Sequence, residues 1–277
     1  MGARGWGSAP QKMTKKTPFD DIAVGYDSDF TRSVTGKAQR NIVWRYLSQR
    51  VVPGTEILEV NCGTGEDAFF LSENNCRVTA TDASAGMIRQ CLEKSQAFHY
   101  SQNPVFRQAA INELDSVVEG KKFNLIFSNF SGLNCINPEE LKEAAAKFYT
   151  YLEHGGRLIV VVFGTNCLWE KLYFMLKGKR KMINRRKRKE PVYVKLVNSG
   201  IDVYYYSPAE LRKLLGDYFK IVRKRPVGLF IPPAYLDRFF THHKVLFRLL
   251  HIKERLTGSF SFLSDLADHY IIQFTKK

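Results

Sequence analysis

The stretch ILEVNCGTGEDAFFL, residues 57–71, combines an apolar strand, a tight turn and the start of a helix. The strand carries an acid, Glu59, close to its end, and Gly63 and Gly65 follow. Glycine lets a backbone approach a ligand closely, and a helix that starts there presents free N–H groups. The next apolar stretch ends in Asp82, whose carboxylate can accept hydrogen bonds from both hydroxyls of a ribose. This order of elements predicts a nucleotide-binding turn.

The turn differs from those that bind phosphate groups. A dinucleotide site reads G-x-G-x-x-G, whereas here Asn61 occupies a position that favours glycine. Glu59 would also repel a pyrophosphate, but it would not repel a cofactor that carries an amino group and a sulfonium. The chain contains no G-x-x-x-x-G-K-[ST] sequence, which excludes a P-loop ATPase.

Strand-like and helix-like segments alternate outward from this turn. We predict strands at 56–60, 77–82, 105–109, 123–128 and 157–163, and helices at 36–51, 66–74, 84–97 and 138–152. Asn137 and Pro138 are a helix cap and a first helical residue. The alternation indicates an α/β, doubly wound sheet with right-handed crossovers that place helices on both faces.

The regular alternation stops after Gly164, and this defines the expected domains. We predict a disordered or tag-derived tail at 1–19 and a core with N-terminal helices at 20–164. A basic, aromatic lid insertion follows at 165–206. Its residues 192–206 have a strand-like composition. The rest of the core, at 207–277, begins with a capping box at 207–210 that opens a helix, and further strands are expected at 219–230 and 270–275. It contains a second helical lid insertion at about 231–268, in which residues 234–257 are expected to form one or two basic amphipathic helices.

Five pieces of the sequence together resemble a known family. They are FDDIAVGYDSDF (19–30), LEVNCGTG (58–65), TATDAS (79–84), FNLIFSNFSGLN (123–134) and HGGRLIVVVF (154–163). With them, roughly residues 20–230 resemble class I S-adenosylmethionine (SAM)-dependent methyltransferases of the group that acts on small molecules, quinones and lipids. The resemblance implies an enzyme with a Rossmann-like, seven-stranded sheet whose last strand is antiparallel. It also implies SAM as cofactor and S-adenosylhomocysteine as product.

The resemblance also implies a role for individual residues at the cofactor. Glu59 would hold the methionine amino group, Asp82 would bind the ribose hydroxyls, and Tyr26 would cover the cofactor. The remaining implied contacts are Asn61, Cys62, Gly63 and Gly65 at the methionine and ribose, Ala83, Met87, Ala110 and Ile111 at the adenine, and Asn129 at the methionine and substrate. Two positions depart from the family pattern: Asn61 replaces a glycine, and Ala110 stands where an acid often meets the adenine.

The substrate should lie above the carboxyl ends of the strands. Both insertions leave from those ends, and an antiparallel last strand starts there, which places Asp268 and His269 near the site. The insertions are rich in aromatic residues, which either form a core beneath the lid or line a pocket for a hydrophobic acceptor. A hydroxyl acceptor benefits from a general base, and the candidates are His269, His242 and His243, with Tyr26 as a less basic option. The SNFS sequence after the fourth strand differs from the NPPY type that serves amino methylation of nucleobases.

The charge of the chain is concentrated in one segment. The net charge is +15, and Lys177–Lys189 holds nine Lys or Arg residues and no acid. This run is a solvated loop, a docking segment for an anionic membrane surface, or a site for an acidic carrier protein or RNA. Nucleic acid is the least favoured partner because no RNA-binding module is recognisable and the aromatic residues are separated from the charges.

The remaining composition limits location and partners. The longest strictly apolar run, 158–163, is far too short for a transmembrane helix. Five cysteines without C-x-x-C spacing predict no metal site and a reducing, cytoplasmic location, with peripheral membrane attachment as an option.

The sequence therefore predicts a SAM-dependent methyltransferase of small-molecule biosynthesis. It would act on a hydrophobic or lipid-like acceptor at oxygen or carbon. Two alternatives remain: an acceptor carried by an acidic macromolecule, or a SAM-binding protein without turnover.

Overall fold

A computed structural model describes residues 16–98 and 102–277, so most of the predicted tail at 1–19 lies outside the described residues. Its centre is a seven-stranded sheet in the order β3-β2-β1-β4-β5-β9-β8. The strands are β1 (Glu56–Val60), β2 (Arg77–Asp82), β3 (Val105–Gln108), β4 (Phe123–Ser128), β5 (Leu152–Phe163), β8 (Phe219–Val227) and β9 (His269–Lys276). The last strand, β9, runs antiparallel to both of its neighbours, β5 and β8. The predicted sheet and its antiparallel last strand are confirmed.

Helices cover both faces of this sheet. They are α1 (Val34–Ser48), α2 (Glu66–Glu73), α3 (Ala85–Ser95), α4 (Asp115–Val118), α5 (Pro138–Tyr151), α6 (Leu168–Leu176), α7 (Pro208–Leu215), α8 (Asp237–His242) and α9 (Lys244–Thr257). Neighbouring residues of a strand point to opposite faces, so Ile57 packs with α1, α2 and α3, whereas Leu58 packs with α5 and α7. The doubly wound arrangement follows directly from this alternation.

Two helices begin at the caps that the sequence indicates. The Asn137 side chain accepts the N–H of Glu140 at 2.9 Å, and the Glu140 carboxylate accepts the N–H of Asn137 at 2.8 Å. Ser207 and Glu210 form the same reciprocal pair at the start of α7. Each pair satisfies N–H groups that the helix itself leaves free.

The structure refines three predicted segments. Strand β5 starts at Leu152 instead of residue 157, because Leu152 pairs with Phe123 across a bulge. The strand-like stretch at 192–206 is a separate hairpin of β6 (Val192–Lys195) and β7 (Gly200–Val203). The stretch 234–257 is divided into a short turn and two helices, α8 and α9.

Three strand ends meet where the lid segments leave the sheet. Phe163 at the end of β5 and Val227 at the end of β8 both pair with His269, the first residue of β9. We call the carboxyl ends of β1, β2, β4 and β5, together with the start of β9, the rim. Above it, α6 packs against α8 through Trp169 and Phe240, whose ring centroids are 5.7 Å apart. Aromatic residues of the two insertions therefore pack against each other, while the lid role of the insertions and the exact domain boundaries stay predictions.

Candidate functional site

The turn after β1 uses left-handed backbone conformations at three residues. The φ angles are +58° at Asn61, +55° at Gly63 and +81° at Gly65. Asparagine tolerates this region better than most residues, which explains how Asn61 replaces a glycine there. At Gly65 a Cβ atom would lie 2.9 Å from the ring of Phe106, so glycine is also needed for packing.

Asp82 lies beside this turn at the end of β2. Its carboxylate accepts the N–H of Gly63 at 2.8 Å and the N–H of Ser84 at 2.9 Å. Burial nevertheless raises the pKa of Asp82 to about 6, outweighing these hydrogen bonds. A carboxylate has about four acceptor positions, so two remain for a ligand.

Glu59 is an acid buried at the rim, with 1% of its surface exposed. Within the described part of the chain, its Oε2 atom has no hydrogen-bond partner, and neither has the Oδ1 atom of Asn61. The hydroxyls of Ser128, the last residue of the adjacent strand β4, and of Ser131, which follows it, also have no hydrogen-bond partner among the described residues. Burial, and then the charge of Asp67, raise the pKa of Glu59 well above its usual range. Buried polar atoms are normally paired, so this group of oxygens calls for a ligand that donates hydrogen bonds.

Two aspartates attach the N-terminal segment to the rim. One oxygen of Asp20 accepts the Ser84 hydroxyl and the N–H of Gly86, both at 2.7 Å. Asp27 accepts the hydroxyl of Thr64 at 2.6 Å and pairs with Lys94 at 2.5 Å. Sequence analysis did not single out these anchors, although both belong to the FDDIAVGYDSDF piece.

The anchored segment places Tyr26 over the glycine turn. A Cβ atom at Gly63 would lie 3.9 Å from the Tyr26 ring, which also packs on Phe30 at a centroid distance of 5.1 Å. Tyr26 therefore lies beside the glycine turn, and its role as a cover for the cofactor stays a prediction. Burial raises the pKa of its phenol.

The residues implied at the adenine follow the ends of β2 and β3, which are neighbours in the sheet. Gln108 donates to the carbonyl of Ala83 at 3.1 Å, and Met87 is buried in the first turn of α3. The backbone of Ala110 is already engaged, since its N–H reaches the Glu113 carboxylate at 3.2 Å and its carbonyl accepts the Glu113 N–H. A short 3-10 turn begins at the next residue, Ile111. Cys62 donates its N–H to Thr81 and thereby joins the turn to β2.

Asn129 belongs to a polar network that sequence analysis missed. Its amide nitrogen donates to Asp67 at 2.8 Å, and its oxygen accepts the N–H of Phe130. Asp67 also accepts from Arg40 at 2.7 Å and from the Trp44 indole at 2.6 Å. These partners fix the Asn129 amide at the end of β4, so any contact to a ligand uses its remaining acceptor or donor capacity.

His269 lies at the rim between aromatic side chains. Its ring stacks on Phe163 at a centroid distance of 4.2 Å and meets the edge of Phe130 at 5.4 Å. Its Nδ1 atom is 3.2 Å from a carboxylate oxygen of Asp268. The structure thus brings His269 beside the loop that carries Asn129.

Arg186 is a buried part of the basic run and holds Asp268 in place. Its guanidinium donates to Asp268 Oδ1 at 2.8 Å, to the Asp268 carbonyl at 3.0 Å and to Glu170 at 2.9 Å. Arg185 binds the same glutamate through two hydrogen bonds. Burial opposes ionisation of Asp268, but the charges of His269 and Arg186 prevail and hold its pKa well below the usual range. The interpretation of the whole run as a solvated loop is therefore wrong for these two arginines.

Part of the sheet domain matches a family of known proteins. Residues 57–156 match a methyltransferase domain family. The carboxy-S-adenosyl-L-methionine synthase of Shewanella sp. (strain W3-18-1) is 27% identical over 157 residues, which are 54% of this chain and 63% of that protein. The chain thus spans under two thirds of the length of this curated relative.

Solved structures share the fold over nearly the whole chain. The CcbJ methyltransferase of Streptomyces caelestis superimposes with a TM-score of 0.62 at 14% identity, covering 94% of this chain and 98% of that one. Magnesium protoporphyrin IX methyltransferase of Synechocystis PCC 6803, solved with bound S-adenosylhomocysteine, gives 0.55 at 16% identity, covering 90% and 86%. With the domain match and the sheet order, these findings show that residues 57–156 match a methyltransferase domain and that the chain shares the fold of these methyltransferases.

Proposed function

We propose that this protein transfers the methyl group of SAM to a hydrophobic small-molecule or lipid-like acceptor, at oxygen or carbon. The observation that carries the proposal is the buried, unpartnered carboxylate oxygen of Glu59 beside the glycine turn. A cationic amino group is the ligand that such an oxygen fits, and SAM carries one. When bound, SAM supplies an electrophilic methyl group on a sulfonium.

The rim offers hydrogen-bond acceptors of the types that the ammonium and ribose groups of SAM require. Glu59 and Asn61 offer acceptors to the ammonium group, and Asp82 offers two acceptor positions to a ribose. Tyr26 covers the turn and excludes water from it. The acceptor molecule is then held on the side of His269, where Phe163, Phe130 and their neighbours supply apolar walls.

His269 is the proposed general base for a hydroxyl acceptor. The ionised Asp268 carboxylate beside Nδ1 favours a proton on that nitrogen, which leaves Nε2 free to accept one. Tyr26 is the weaker candidate, because a raised pKa keeps its phenol protonated at neutral pH. Asp268 and Arg186 act through His269 and are positioning residues.

The proposal includes docking to an anionic membrane through Lys177–Lys189. Seven of its nine basic residues, all except Arg185 and Arg186, have exposed side chains. In the described residues, no helix has the length and apolar character needed to cross a bilayer. The proposed docking takes place at the membrane surface, where a lipophilic acceptor is concentrated.

Replacing His269 by glutamine tests the reaction. The protein is incubated with methyl-labelled SAM and a panel of lipophilic alcohols and phenols, and label is counted in the organic phase. We expect His269→Gln to lower the turnover number by about 100-fold without changing SAM affinity, since loss of a general base affects the chemical step. His154→Gln, at an exposed position on β5, is the matched control. Equal turnover in both variants would remove the base assignment, and no labelled product with any acceptor would contradict the proposed activity.

SAM affinity should rise with pH between about pH 5 and 8. The pKa of Asp82 is about 6, so below that value the carboxyl group is largely protonated and offers fewer acceptors to the ribose. Burial raises the pKa of Glu59 well above its usual range, so this group must also ionise when it binds the ammonium and acts in the same direction. Below pH 6 we expect a loss of up to about tenfold per pH unit for each group. Calorimetry at several pH values measures this, and an affinity that is constant or falls with increasing pH would contradict it.

A further inference from the structure

Helix α9 carries an apolar stripe that faces solvent. The exposed fractions are 73% at Val245, 55% at Leu249, 54% at Ile252 and 71% at Leu256. The spacing i, i+4, i+7 and i+11 places these four side chains in one line along the helix. An uncovered apolar surface of this kind is typical of a binding face.

The opposite side of α9 fixes the orientation of the helix. Glu254 is buried, and its carboxylate accepts four backbone N–H groups, those of Gly228, Leu229, Phe230 and Ile231, at 2.6 to 3.3 Å. Phe247 packs near Phe240 with ring centroids 6.1 Å apart. Rotating the stripe inward would break all of these contacts, so the stripe remains outside.

The charges around the stripe all have the same sign. Lys244, Arg248, Lys253 and Arg255 are exposed on the flanks of α9. Glu254 is the one acid of this helix, and it points inward. The outward face of α9 therefore consists of apolar and cationic side chains.

Helix α6, in the first insertion, has the same pattern. In α6, Leu168, Leu172 and Met175 are 45%, 44% and 60% exposed at the spacing i, i+4, i+7, and Leu176 is 77% exposed. The exposed basic residues of 177–181 follow directly. Two separate helices thus present an apolar line with cations next to it.

We propose that α9, assisted by α6, binds an anionic lipid bilayer, with its apolar stripe among the acyl chains and its basic residues at the headgroups. Interfacial helices combine these two features. A second copy of the chain fits the face poorly, because two such faces would bring the cationic flanks together. The inference deepens the membrane docking of the proposed function by naming the inserted element. It is tested without SAM or acceptor, so its failure and a failure of methyl transfer are separate results.

Co-sedimentation with vesicles tests the apolar stripe. The vesicles contain phosphatidylcholine with about 30% phosphatidylglycerol, or phosphatidylcholine alone. We expect binding to the anionic vesicles and a dissociation constant at least about 20-fold weaker in Leu249→Glu/Ile252→Glu, since two apolar side chains no longer insert. The matched control is Val52→Glu/Val222→Glu. It changes two exposed valines outside the insertions, one before β1 and one on β8, and should bind normally.

A second pair of variants tests the basic flanks. Each basic side chain near an anionic surface strengthens binding roughly fivefold, so Arg248→Ala/Lys253→Ala should weaken it roughly 25-fold. Its control, Arg89→Ala/Lys142→Ala, removes two exposed charges from α3 and α5 and should have little effect.

A tryptophan probe reports insertion directly. The emission of Leu249→Trp should shift to shorter wavelength on anionic vesicles and be quenched by brominated acyl chains, whereas that of Val222→Trp should not change. Vesicle binding that is equal in the stripe variant and its control would overturn the proposal. So would a dimer in sedimentation velocity that Leu249→Glu/Ile252→Glu dissociates while vesicle binding stays the same, because the stripe would then be a contact between two copies.

Discussion

Replacing Asp82 by alanine should weaken SAM binding by at least about 100-fold. The carboxylate is expected to accept two hydrogen bonds from ribose hydroxyls, and a hydrogen bond to a charged group is worth about 1.5–3 kcal/mol. Two such bonds correspond to about 3 kcal/mol or more, which is a factor of at least about 100 in the dissociation constant. The same carboxylate accepts the N–H groups of Gly63 and Ser84, so its loss also loosens the turn that contacts the cofactor.

The control for this variant is Asp217→Ala, which removes an exposed acid after α7. Calorimetric titration with SAM measures both variants, and circular dichroism verifies that each is folded. A folded Asp82→Ala variant that binds SAM like the control would show that the cofactor lies elsewhere or is not bound through this residue.

Replacing Arg186 by methionine should destabilise the protein by about 3–5 kcal/mol. Removal of one partner from a buried ion pair leaves an uncompensated charge, and this is more costly than the loss of the pair itself. Here both Asp268 and Glu170 lose a partner, although Glu170 keeps its two hydrogen bonds to Arg185. For a chain of this size, the loss corresponds to a melting temperature lower by roughly 6–20 °C.

The matched control is Arg180→Met, an exposed position in the same basic run. The difference in melting temperature between Arg186→Met and Arg180→Met should be the same at pH 6 and at pH 8. A depressed pKa means that Asp268 contributes stability above its unfolded pKa, and this contribution is lost only in strong acid as the pH falls through the folded pKa. Melting curves by calorimetry measure the effect. Equal melting temperatures for the two variants would show that the buried cluster is not required for the fold.

The rim could be predicted from sequence because its signals are local. The turn at 61–65 and the acid at Asp82 each follow an apolar strand, and parallel strands bring their carboxyl ends together. The antiparallel β9 placed His269 at the rim for the same topological reason. The roles given to the individual residues at the cofactor and at the acceptor remain predictions.

Other features depend on contacts between residues that are distant in the chain, and no sequence pattern indicates such contacts. Arg186 stands in a basic run whose other basic residues are exposed except for Arg185, and its partners Glu170 and Asp268 are 16 and 82 residues away. Asp67 lies in the first turn of α2, where an acid is ordinary, yet it connects Arg40 with Asn129. The amphipathic pattern at 234–257 predicted helices correctly, but it did not reveal that an apolar line of α9 faces outward.

The central claim is that the rim binds SAM. Calorimetric titration of the wild-type protein with SAM and with S-adenosylhomocysteine tests this most directly. We predict one site per chain with micromolar affinity for both ligands, and a loss of binding in the Asp82→Ala variant. The absence of binding heat for either ligand, confirmed by equilibrium dialysis, would contradict the claim.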